Sequence, residues 1–183
     1  MKQEKAHEIM GENYFGVEET KKYLGMDPTG KELSDLADVP FSPEFLEERK
    51  DSHILVAFFP ISIIEIRQRV RHHQLFSDAS WYKDFSFARE KGKTAWHLVP
   101  KEPIPMKSAW EAWNGEKKCV RESRETPPPW VMVYAIIGYF LMTEKRLFED
   151  VETSCKWPSL DNTYIYVGFF DDNGLVLGFY CDD

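Results

Sequence analysis

Three cysteines in 183 residues, Cys119, Cys155 and Cys181, are too few and too widely spaced to staple a fold together. They form no CxxC pair and leave one thiol over, so neither a disulfide framework nor a structural zinc site is expected. Positive charge is also scarce. The net charge of −8 disfavours general nucleic-acid binding, which needs a basic footprint to displace counterions from phosphates. The one basic run, Arg67, Arg69, Arg71, His72 and His73, reads as the solvated face of a helix. Long hydrophobic runs are missing. The longest, Trp130 to Met142, is too short to span a bilayer, and Met1 to His7 is charged rather than signal-like. These absences predict a soluble protein of a reducing compartment, cytoplasmic by default, with surface display through a partner as the other route. Gly-rich phosphate loops, HExxH and nucleophile-elbow motifs are lacking too, so the sequence asks for no cofactor and argues for no particular enzyme chemistry.

What the chain does have is aromatic side chains, 15% of its residues. That richness rules out a disordered protein, and the length suits a substantial buried core. The first fifty residues read as short polar helices: Lys2 to Met10, Val17 to Leu24, Thr29 to Ala37, and one opened by Ser42-Pro43-Glu44 with Ser as N-cap and Pro in the first turn. His53 to Phe59 is a nearly continuous apolar run ended by Pro60, the pattern of a buried strand. Ser62 and Glu65 form a capping box, with Ile63, Ile66 and Val70 at helical spacing behind it. Trp81 to Phe87 is aromatic and irregular, and Thr94 to Val99 is a second strand. Ser108 is placed to cap a further helix, and 116–125 reads as a charged turn region. Pro127 to Pro129 then lead into a helix reaching about Met142 that is apolar all round, the signature of a central core helix. Arg146 to Cys155 reads as another strand.

The last twenty residues say most. Tyr164 to Phe170 and Leu175 to Cys181 are two β-rich runs joined by Asp171-Asp172-Asn173-Gly174, a strong hairpin signal. Phe169, Phe170, Asp171, Asp172, Asn173, Phe179, Tyr180 and Cys181 crowd together where an ordinary sheet would alternate apolar and polar residues. Rigid aromatics for contact area beside Asn and Asp for adaptable hydrogen bonds are what a binding surface uses. These eight are the expected ligand-binding residues.

From Asp51 onward the chain resembles a much-duplicated bacterial protein family of uncharacterised activity. The resemblance runs through His53-Ile-Leu-Val-Ala-Phe-Phe-Pro60 with Ile61-Ser62-Ile63, then Lys91-Gly92, Trp96-His97-Leu98-Val99 and Pro103 to Pro105. It continues through Glu125-Thr126-Pro127, Val131 to Tyr134, Ile136-Ile137-Gly138 and Arg146-Leu147-Phe148-Glu149, and closes on Tyr166-Val167-Gly168, Phe170-Asp171 and Gly174-Leu175. In sequences of this kind the tail looks like the variable end of a protein diversified by a diversity-generating retroelement, carried on a C-type-lectin-like fold that formylglycine-generating enzymes also use. The resemblance implies an α+β chain: an N-terminal helical cap over 1–50, then a C-type-lectin-like mixed α/antiparallel-β ligand-binding domain over 51–183 with a variable C-terminal hairpin. Sequences of this kind continue into a closing strand; measured against them, the expectation is that this strand is missing after Asp183, by truncation or because a partner supplies it. The implied function is non-catalytic recognition of a protein or carbohydrate ligand by a possible oligomer.

Two other classes compete. An enzyme would use His97 with a cysteine or an acid. A structural or assembly module would pack the aromatic face against a partner chain. The acids Asp171, Asp172, Asp182 and Asp183 read as solvated turn residues rather than a calcium loop, which wants about six to eight oxygens. His72 and His73, as neighbours on a helix, point about 100° apart and so do not chelate one ion.

Overall fold

The computed structural model describes residues 1–78, 81–104, 126–155 and 163–181, and the backbone alone at 72, 163, 164, 180 and 181. The helix expected after Ser108, the turn region 116–125 and Cys119 lie outside the described residues.

The architecture is mixed α+β, with helices and two small three-stranded sheets. The N-terminal helices are α1 (Gln3–Met10), α2 (Val17–Leu24), α3 (Gly30–Asp35) and α4 (Pro43–Glu47). Side-chain caps set two of their starts. Thr29 Oγ1 accepts from the Glu32 N–H while Glu32 reaches back to the Thr29 N–H, and Ser42 Oγ accepts from the Phe45 N–H. Between α1 and α2 the chain contributes a strand that the sequence reading missed, β1 (Tyr14–Phe15). It runs parallel to β2 (His53–Phe58), and β3 (Ala95–Pro100) pairs antiparallel on the other side with Val56 opposite His97.

β2 is central to this sheet and buried on both faces, which is why its sequence is continuously apolar. Ile54, Val56 and Phe58 face the main core, whereas Leu55, Ala57 and Phe59 face a second cluster formed with Ala6, Leu36, Val39 and Leu46. The capping box at Ser62–Glu65 opens α5 (Ile63–Arg69), which buries Ile63 and Ile66. The short α6 (Ser86–Arg89) follows.

The triple proline leads into α7 (Pro129–Thr143), which touches strands of both sheets and buries every residue from Val131 to Tyr139. A buried hydroxyl pair ties it to its neighbours. Tyr134 OH donates to the Ala57 carbonyl at 2.9 Å and lies 2.7 Å from Thr20 Oγ1, which in turn reaches the Gly16 carbonyl at 2.8 Å. The two hydroxyl protons can fill only two of these three contacts at a time, so the pair joins α2, α7 and β2 through hydrogen bonds that share their protons.

The second sheet is an antiparallel meander of β4 (Glu152–Cys155), β5 (Thr163–Asp171) and β6 (Gly174–Cys181). The strand expected over Arg146 to Cys155 is confined to its last four residues, because Phe148 takes a left-handed φ of 57° and bends the chain before β4. No described helix is long and apolar enough to cross a membrane.

Candidate recognition surface

β5 and β6 form the expected hairpin, but its turn differs from the expected Asn-Gly pair. Asp172 and Asn173 occupy the loop with negative φ, and the positive φ of 95° falls on Gly174, the first residue of β6. Asp171 holds the loop shut by accepting from the Asn173 backbone N–H at 2.7 Å and from its side-chain amide at 3.0 Å. Those two hydrogen bonds, with the nearby Arg146 charge, lower the Asp171 pKa. Gly174 is required here. A Cβ would meet the Phe76 carbonyl carbon at 2.5 Å and the Ser77 nitrogen at 2.7 Å, since the segment Leu75–Ser77 lies against the start of β6. Leu75 O accepts from the Leu175 N–H and Ser77 N–H donates to Leu175 O, so this segment covers the strand's edge there.

Alternation along the hairpin sorts the expected contact residues. Ile165, Val167, Leu175 and Leu177 point into the core. On the opposite face Tyr166 lies over Gly178, where any Cβ would collide with its ring. Burial, together with the Glu152 charge, raises the Tyr166 pKa.

A bulge after Gly168 interrupts the pattern. Within it Phe169 adopts a left-handed φ of 46° and stands 41% exposed. Its neighbour Phe170 is turned inward and fully buried, edge-on to Phe140 of α7 at 5.2 Å. This corrects the expectation that Phe170 is a contact residue: the bulge sends it into the core, and Phe169 alone is presented. A bulky residue in the left-handed region is uncommon and costs energy that the surrounding structure must supply.

Phe179 ends the core-facing row of β6, at the rim, where it is 44% exposed. Its ring lies 4.9 Å from Trp81 and 6.3 Å from Phe85. Trp81 lies 5.4 Å from Phe85, which is 48% exposed, and 6.1 Å from the buried Phe87. The Trp81 indole N–H donates to the Leu177 carbonyl at 3.1 Å, clamping this aromatic turn to the outer edge of β6. The sequence reading placed Trp81 to Phe87 in an irregular segment and missed its role. Four aromatics within Trp-Tyr-Lys-Asp-Phe-Ser-Phe, broken by polar residues, were the available signal.

The eight expected residues therefore do not form one site. Asp171, Asp172, Asn173 and Phe169 sit at the turn, and Phe179, with the backbone of Tyr180 and Cys181, sits at the other end of β6. The side chains of Tyr180 and Cys181 are outside the described residues. At about 3.3 Å per strand residue, the two ends are roughly 20 Å apart. At the turn, Asp172 pairs with Arg146 at 2.8 Å, and the Arg146 guanidinium covers the Phe140 and Phe170 rings at 5.4 and 5.7 Å.

The residues of the enzyme alternative are differently placed. His97 lies in β3, edge-on to Phe58 at 5.8 Å. Cys155 lies in β4 of the other sheet, buried. Burial alone pushes its thiol pKa far up, the reverse of what a nucleophile needs. Among the described residues no group of three His, Cys, Asp or Glu side chains is placed to hold a metal ion. Compared with protein-family models, curated proteins and solved structures, the chain matches none.

Proposed function

We propose that this chain is a non-catalytic recognition protein whose C-terminal hairpin carries the contact surface on a C-type-lectin-like platform. The observation that carries the reading is the rim group Trp81, Phe85 and Phe179, two of whose rings stand nearly half in solvent. Large apolar side chains gathered at the surface, and fastened there by an indole hydrogen bond, suit a partner's apolar or sugar face. Phe169 adds to this reading, because the chain holds it outward in an unfavourable backbone conformation. Beneath the hairpin lies the buried α7, which packs against β5; a scaffold of this kind lets surface residues change while the fold persists. Diversification by a retroelement would act on this hairpin, and the protein or carbohydrate ligand would meet its aromatic end.

The test uses a glycan array and a displayed peptide library, probed with the intact chain and with a Phe85→Ser/Phe179→Ser variant. Ligands that bind the chain and lose at least about tenfold in the variant, at unchanged melting temperature, support the reading. Equal binding by both proteins, or no ligand in either library, refutes it. A reverse-transcriptase gene and an imperfect repeat of the 3′ coding end in the neighbouring DNA would test the diversification part separately.

A further inference from the structure

The turn end of the hairpin forms one wall of a cleft of about 620 Å³. Its opposite wall comes from the end of α5 and the 3-10 turn that follows, through Arg67, Arg71 and Gln74. Its floor is the Leu75–Ser77 segment that Gly174 approaches so closely. The volume suits a small molecule.

Three features of this cleft are unusual for a passive surface. Arg67 and Arg71, four residues apart, both line it. Arg67 is braced by the Tyr82 hydroxyl at 2.6 Å, while Arg71 is exposed and makes no ion pair among the described residues. Ser77 Oγ is shielded from solvent and has no hydrogen-bond partner among the described residues, a condition that native structures seldom leave unexplained. Gln74 takes a left-handed φ of 53°, as Phe148 and Phe169 do elsewhere in the chain, a costly conformation for a residue with a side chain. Two acids also face the cleft: Asp172, already paired with Arg146, and Asp78.

We propose that this cleft binds a small oxyanion, a phosphate monoester or a carboxylate, held by the Arg71 and Arg67 guanidinium groups with the Ser77 hydroxyl as a third donor. Guanidinium presents paired N–H groups that match either anion, and the anion would supply Ser77 with the acceptor that it lacks among the described residues. The site lies at the turn, remote from Phe179, so it does not depend on the aromatic surface being a recognition face.

Phenyl phosphate and benzoate, identical but for the anion, are titrated by calorimetry at fixed ionic strength into the chain and into Arg71→Gln and Ser77→Ala variants. The expected result is saturable binding of at least one probe in the millimolar range or tighter. Loss of a charge-assisted hydrogen bond weakens the Arg71→Gln variant about ten- to hundredfold, and Ser77→Ala about three- to tenfold. Which probe binds identifies the anion. Because Arg71 is exposed, its variant keeps the parent melting temperature. No binding of either probe at about 10 mM overturns the proposal, as does binding that neither substitution weakens.

Discussion

Phe169 and Phe170 are adjacent, chemically identical and opposite in environment, so paired substitutions isolate what the bulge does. Phe170 is fully buried against Phe140 and beneath Arg146. Replacing it by Ala removes a whole core aromatic and leaves a cavity, a change that costs about 3–5 kcal/mol. Phe169 is 41% exposed, so its remaining burial contributes roughly 1–2 kcal/mol. Its left-handed backbone costs about 1–2 kcal/mol, which glycine would relieve. The two terms offset, and Phe169→Gly should change stability by less than about 1 kcal/mol. Urea denaturation with fluorescence detection measures both, each variant fitted with its own m value. A Phe170→Ala loss below about 1.5 kcal/mol would show that the ring is not in the core. A Phe169→Gly loss as large as that of Phe170→Ala would show that Phe169 is structural, and would remove it from the proposed surface.

Two further substitutions test the framework. Tyr134→Phe leaves the buried Ala57 carbonyl without its donor and Thr20 Oγ1 without its hydroxyl neighbour, and should cost about 1–3 kcal/mol by thermal or chemical denaturation, with a loss below about 0.5 kcal/mol counting against the network. For Glu65, partial burial pushes the carboxyl up, but Lys91 at 2.6 Å and the Ser62 N–H and hydroxyl win, so the folded pKa lies below 4.5. A depressed carboxylate stabilises the fold above its unfolded pKa and loses that contribution as pH falls through the folded one. Glu65→Gln should therefore be less stable than the parent at pH 7, and the gap should close on acidification below that value; a gap independent of pH would rule out the charge as its cause.

Much of the fold was legible because its signals are local. Ser62 with Glu65, Ser42 with Pro43 and the proline-led apolar run each specify a helix within a few residues. The His53 run announced a buried strand because both of its faces meet apolar neighbours. β1 was missed because two residues, Tyr14 and Phe15, carry no periodicity and become a strand only through distant pairing with Leu55 and Val56. The hairpin was legible, but its alternation was not. A bulge at Gly168 exchanges the faces beyond it, and nothing in Phe169-Phe170 says which ring turns inward. The grouping of Trp81 and Phe85 with Phe179 is not local either: they meet only across the fold, about 95 residues apart in sequence.

The pairing of the first sheet also bears on the order in which the chain assembles. β2 meets β1 and β3 only by closing two loops of roughly forty residues each, whereas β5 and β6 zip together across a two-residue turn. Short-range zippering is fast and long loop closure is slow. On refolding of the full chain from denaturant, the hairpin should therefore form before the β1–β2–β3 sheet, so that Phe179 stands on a finished strand before Trp81 and Phe85 are brought to it.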